Sequence, residues 1–158
     1  MNLSSNHSAS VNPRRLFVGM CLAIIPTGAS FVFVSNIFQQ LKTEFILTNA
    51  QVGYIGGAVL WGMALSLLLV GPFLEKIGLK KATVGAFFGH LIGTTLFLAA
   101  APFAGDPSAF WILLLGAIGL GIGNGLIEVA GNPLIPALYP ENRTVKLNHF
   151  HAFFPGGM

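Results

Sequence analysis

Four long uncharged runs, at about residues 16–38, 52–74, 82–104 and 110–138, constrain this chain more than any other feature. A helix needs roughly 20 apolar residues to cross ~30 Å of hydrocarbon, and every run exceeds that length. Charged residues make up only 8% of the sequence, against roughly 25% in ordinary globular proteins. Lipid is therefore the expected solvent, and the expected fold is an all-α integral membrane protein with four transmembrane helices. The segment LNHFHAFFPGGM, at about 147–158, reads as the start of a fifth.

The segment before the first run is polar and lacks the apolar core of a signal peptide. We read residues 1–15 as a disordered cytoplasmic tail. Short cytoplasmic loops carry the excess of Lys and Arg. Arg14, Arg15, Lys76, Lys80, Lys81, Arg143 and Lys146 fall on one side and Lys42 alone on the other, seven against one, which places the N-terminus in the cytoplasm. The membrane expected is the plasma membrane, the inner membrane of a bacterial cell. Pro133, Pro136 and Pro140 are expected to break or kink the fourth helix near its cytoplasmic end.

Gly53 and Gly57 in the second run, and Gly85, Gly89 and Gly93 in the third, recur every four residues. That spacing lets helix backbones approach closely in lipid, and we read these glycines as packing faces without chemistry. Glu128 stands out more, because it is one of five acidic residues and sits in the otherwise apolar or small stretch LIEVAGNP. At ~100° per residue, Gly121, Asn124, Gly125, Glu128 and Asn132 share about a third of the helix circumference. This stripe should face protein or water. A charge at a span centre costs about 2.5 to 3.5 kcal/mol on insertion scales, so such a residue lines a cavity, pairs, or takes up a proton. A less demanding reading puts Glu128 near the interface, meeting water or Arg143. Asn124 and Asn132 admit two uses, substrate contact or a hydrogen-bonded bridge between helices.

His90 shares a rough stripe with Thr83 and Thr94 and reads as either a bridge to a neighbouring helix or a proton relay. Ser35, Asn36, Gln39 and Gln40 gather at the outer end of the first span, where they line a substrate path or simply mark an interfacial helix end. Trp61 is the one candidate aromatic platform for a ligand, or simply packs within its span. His149 and His151 are two residues apart, about 200° around a helix, with no acidic or thiol partner nearby in sequence, so no metal site is supported. No phosphate loop or nucleophile turn is present. The net charge of +3 forms no basic stripe, which argues against nucleic acid. Neither an enzyme nor a cofactor is expected.

Two stretches carry a family resemblance. GPFLEKIGLKK resembles the loop motif of the major facilitator superfamily, with Gly71, Glu75, Lys76, Gly78 and Lys80 at the matching positions. Glu replaces the usual Asp, and Leu79 stands where a basic residue is common. IEVAGNPLIPALYPENRTVKLNHFHAFF is similar to the fourth helix, loop and fifth-helix start of the fucose permease-like sugar porters. Glu128, Asn132, Pro133, Pro140, Glu141, Leu147, Asn148 and His151 match that group's pattern. FILTNAQVGYI resembles its Leu-Thr-x-x-Gln opening of helix two.

The resemblance implies a twelve-helix secondary transporter with two six-helix halves, carrying a sugar or similar small polar solute between them by alternating access. In proton-coupled relatives the fourth-helix acid links sugar binding to protonation, which implies Glu128 as the coupling residue and a sugar contact, with Asn124, Asn132, Asn36 and Gln39 around it. The loop residues would help hold the cytoplasmic side closed, and H+ would be the coupling ion. One departure concerns the first helix, where such relatives usually have an Asp and this chain offers Ser35 and Asn36. A second is length: four spans and a fragment are about a third of a twelve-helix protein, which leads to the expectation of a partial chain. Two other readings fit the same residues, a small four-helix membrane protein that oligomerises through its glycine faces and a drug or metabolite efflux carrier on the same scaffold.

Overall fold

The computed structural model describes residues 12–158; residues 1–11 of the expected tail lie outside that range. Eight α-helices and three short 3-10 turns follow one another, and no strand occurs among the described residues. Four helical segments are long and apolar enough to cross a membrane: Pro13–Asn36, Asn49–Ile77, Leu79–Phe103 and Ser108–Leu138. The four expected spans are therefore present, with their ends displaced by several residues.

The expected tail is corrected at its end, because Pro13, Arg14 and Arg15 already form helix. Asn12 caps it by accepting from the Arg15 N–H (3.1 Å), and Pro13 occupies the first turn, where a missing N–H costs nothing. The first span is also interrupted. It consists of α1 (Pro13–Ala23), α2 (Ile25–Asn36) and α3 (Phe38–Glu44). Pro26 has no N–H to offer the Leu22 carbonyl, so the regular ladder fails at Ile24. The second span, α4 (Asn49–Val70), opens on a capping box in which Thr48 Oγ1 accepts from the Gln51 N–H (3.2 Å) and Gln51 Oε1 accepts from the Thr48 N–H (2.8 Å).

After α4 the chain makes a 3-10 turn and the short α5 (Leu74–Ile77), then passes through Gly78 into α6 (Leu79–Ala99). Gly78 has φ 85° and ψ 142°, a region open to glycine and strained for other residues. The fourth span is α7 (Ser108–Leu138), and α8 (Arg143–Gly156) follows a 3-10 turn at Pro140–Asn142. The fifth helix thus begins four residues before the expected 147. Its first turn is charged and polar, which apolar patterning does not register but helix formation tolerates.

Pro133 and Pro136 lie inside α7, which continues to Leu138 instead of breaking. Their missing donors leave the Val129 and Asn132 carbonyls without intrahelical partners. A break is avoidable because packed neighbours hold a membrane helix in register.

α7 is the centre of the bundle, with α4 and α6 along two of its sides and α1, α2 and α8 on another. Half of its most apolar stretch is buried, against 22% for the second and third spans. Glycines make this approach close. A Cβ built on Gly89 would lie 2.8 Å from Gly123 N, and one on Gly93 would lie 2.7 Å from Leu120 N. The third-span glycines therefore pack as expected, although against α7 of the same chain.

The second-span pair does not. Gly53 meets nothing and Gly57 meets only Trp61 of its own helix; the contact is made by Gly62, which faces Gly121. Spacing identified the repeat but not which face of α4 turns inward. Two further glycines seat α2 on α8: a Cβ on Gly28 would overlap the Phe154 carbonyl, and one on Gly157 the Ile25 carbonyl.

Two apolar clusters result. One, around Ile55, Val59, Leu113 and Leu120, joins α4 to α7. The other, around Ile24, Ala86, Ile127, Ile135 and Phe150, joins α1, α6, α7 and α8. Gly89→Leu should cost about 1–3 kcal/mol or more by overpacking, whereas Gly53→Leu should leave stability nearly unchanged. Unfolding of both variants in mixed detergent measures the contrast, and equal stabilities would refute this assignment of faces.

Candidate functional site

Polar residues of α7 fall into two groups, one helical turn apart. The upper group centres on Asn124, which is fully buried. Its Nδ2–H donates to Ser30 Oγ of α2 (3.0 Å), and its Oδ1 faces the Ser30 hydroxyl (3.1 Å) and His90 Nε2 of α6 (2.9 Å). His90 Nδ1 lies 2.9 Å from the Ala86 carbonyl. Asn124 and His90 therefore form a bridge across three spans, the bridging use being one of the two open to each.

The lower group centres on Glu128, 8% exposed. Asn132, one turn further along α7, donates from Nδ2 to Glu128 Oε2 (2.9 Å). His151 of α8 bonds through Nε2 to Asn132 Oδ1 (3.0 Å), and its Nδ1 lies 3.9 Å from Glu128 Oε1. Phe150, beside it, is fully buried and anchors that face of α8 in the second cluster. Of the interfacial alternative for Glu128, water or Arg143, the Arg143 contact does not form. Arg143 Nε donates to the Pro140 carbonyl instead (3.3 Å).

Glu128 and Asn132 line a cleft of about 380 Å³ whose other wall comes from the segment after α4, including Gly71, Pro72, Leu74 and Glu75. The loop-motif acid and the span acid thus border one space. Lys76 lies against the Phe73 ring (5.9 Å), and Lys80 is exposed. Gly71 is helical with open space at its Cβ position, so of the two motif glycines only Gly78 is demanded by backbone geometry.

The remaining predicted residues are not gathered here. Ser30 is level with Asn124, and Asn36 lies six residues further along α2 while Glu128 lies four residues the opposite way along α7. The separation along the bundle is about 15 Å. Asn36 and Gln39 are exposed, as is Asn148, and none bonds to Glu128. Trp61 is 70% exposed and borders an apolar cleft with Tyr54, Phe110 and Trp111. No group of three or more His, Cys, Asp or Glu side chains suited to a metal occurs among the described residues.

The contact that sequence reasoning missed is His151 against Glu128. They are 23 positions apart on different helices, and only the packing angle of α8 on α7 brings them together. Ser30, the partner of Asn124, was also unflagged, although a serine within an apolar span was a visible signal.

Apolar helices of membrane length, a glycine-packed central helix and a nearly buried carboxylate bordering a cleft define a polytopic membrane protein. The chain matches the Major Facilitator Superfamily over residues 12–158 and belongs to that family. Its relatives include the L-fucose-proton symporter of Escherichia coli K12, 28% identical over 67% of this chain and 23% of the relative. The putative niacin/nicotinamide transporter NiaP of Bacillus subtilis is 32% identical over 70% of this chain and 26% of the relative. The D-galactonate transporter of Escherichia coli O6:H1 is 24% identical over 87% and 31%. The chain spans about a quarter of the length of these relatives. No solved structure matches it.

Asn124→Ala should cost about 1–3 kcal/mol, because Ser30 and His90 lose a buried partner. His90→Phe should then cost less in the Asn124→Ala background than in the native chain. A double-mutant cycle on detergent unfolding reads this coupling, and strict additivity would count against the three-span bridge.

Proposed function

We propose that this chain forms the proton-binding part of a secondary transporter that carries a sugar or related small polar solute by alternating access, with Glu128 as the coupling residue. The observation that carries the reading is a nearly buried carboxylate, held by Asn132 and beside His151, on the wall of a cleft in a bundle of membrane-length helices. An ionisable residue in a membrane bundle is by default a functional one. Similarity to a symporter named for L-fucose and protons supports the solute class and the ion. Other relatives are named for niacin or nicotinamide and for D-galactonate, so the solute is assigned by chemistry, as small and polar, and not by name.

Asn132 orients the carboxylate, and Asn124 serves as a bridge, since its amide is already engaged by protein. Glu75, at the opposite wall of the cleft, is placed to act with Gly71, Lys76, Gly78 and Lys80 as a cytoplasmic gate. Asn36, Gln39 and Asn148 are exposed and are assigned to surfaces that further helices cover in a complete transporter. The N-terminus is cytoplasmic and the membrane is the plasma membrane, following the excess of Lys and Arg on one side. The transport cycle belongs to a polypeptide that also supplies the helices present in the longer relatives.

In the complete transporter, Glu128→Gln should insert normally and lose pH-dependent accumulation of a labelled sugar, while exchange of sugar down its gradient persists. Uptake is measured in inverted and right-side-out vesicles under an imposed proton gradient. Gradient-driven uptake unchanged by the substitution would sink the assignment of Glu128.

A further inference from the structure

The geometry points to His151 as the second proton-binding group, sharing one proton with Glu128. This inference rests on the coupling role proposed for Glu128.

Hydrogen-bond valence carries the argument. A carboxylate only accepts, so the Asn132 group 2.9 Å from Glu128 Oε2 is the amide NH2. The other end of that amide, Oδ1, is therefore the atom facing His151 at 3.0 Å, and it also only accepts. Nε2 of His151 must carry a hydrogen, which fixes the neutral ring in the Nε2–H tautomer. Nδ1 is then the nitrogen that gains and loses a proton, and it points toward Glu128 Oε1 at 3.9 Å.

With no proton between them, the Nδ1 lone pair and the ionised carboxylate repel. One proton, on Nδ1 as an imidazolium or on Oε1 as a carboxylic acid, turns the contact into attraction. Transfer from Nδ1–H to Oε1, which takes a closer approach of the two side chains or one bridging water, breaks one N–H bond and forms one O–H bond, leaving a neutral pair where an ion pair stood. The His151 side chain is 42% exposed and that of Glu128 10%, so His151 is the member that exchanges protons with water.

Few other charged groups lie near the pair. Glu75 borders the same cleft as Glu128 and contributes a negative charge. From α1, Arg14 and Arg15 are exposed on the first turn and Cys21 is buried in the apolar cluster. α2 carries no titratable side chain. On α8, Lys146 is held over the Phe17 and Tyr139 rings (5.1 and 5.0 Å), Arg143 is bonded to the Pro140 carbonyl, and His149 is exposed. Glu141 is exposed on the turn before α8. No cation other than His151 makes an ion pair with Glu128 among the described residues.

The test is nitrogen NMR of the histidine-labelled chain in lipid nanodiscs, with the His151 signals assigned by their loss in His151→Gln. We expect the Nε2–H form to dominate the neutral ring and Asn132→Ala to abolish that bias. The His151 titration should differ between the wild-type chain and Glu128→Gln, as for interacting sites, and the difference should be lost in Glu128→Asp, which keeps the carboxylate. The His90 signals report whether each variant remains folded, through the Asn124 bond. A dominant Nδ1–H form, or folded Glu128→Gln and wild-type chains with superimposable His151 titrations, would overturn the proposal. Coupling between the two residues together with gradient-driven uptake that survives Glu128→Gln would instead defeat the transport role while leaving the shared proton in place.

Discussion

Backbone contact between α7 and its neighbours is the interaction on which the rest of this bundle depends. In lipid, apolar side chains gain little by leaving one apolar solvent for another, so helices associate through close packing and interhelical hydrogen bonds. Glycines supply the closeness: Gly89 and Gly93 of α6 meet Gly123 and Leu120, and Gly62 of α4 meets Gly121. Because α6 sits this near, His90 reaches the Asn124 amide, which Ser30 of α2 also meets. The polar bridge is a product of the glycine faces and in turn pins their register.

The same logic explains why polar residues occur in groups. A single asparagine in hydrocarbon would carry unpaired donors and acceptors at a cost of several kcal/mol. Asn124 spends its amide on two other spans. Asn132 spends one end on a carboxylate and the other on a histidine. Each group pairs a buried residue of α7 with a partly exposed histidine and borders a cleft. What distinguishes the second, one turn along the same helix, is the carboxylate at its centre.

Much of the architecture was legible in the sequence because hydrocarbon thickness imposes a minimum run length and charges avoid the interior. The spans, the third-span glycine face and the prominence of Glu128 all follow from those two facts. Positions that depend on how helices cross were not legible. Gly53 and Gly57 have the right spacing but the wrong side of α4, since a uniformly apolar helix carries no moment to mark its inner face. The interruption at Ile24 was readable from Pro26, which removes one rung of the ladder. His151 beside Glu128 was not, because nothing local to either residue records the crossing of α8 over α7.

α7 has little freedom to change. Gly116, Gly121, Gly123, Gly125 and Gly131 each have a neighbouring helix's atoms where a side chain would begin, and these neighbours lie on several sides of the helix. The element that carries Glu128 is therefore sterically constrained on several sides. The wall of the cleft opposite it, on the segment after α4, is not, since Pro72 and Glu75 are exposed there. Substitutions are then tolerated unequally across one cleft, least on α7 and most on the segment that faces it.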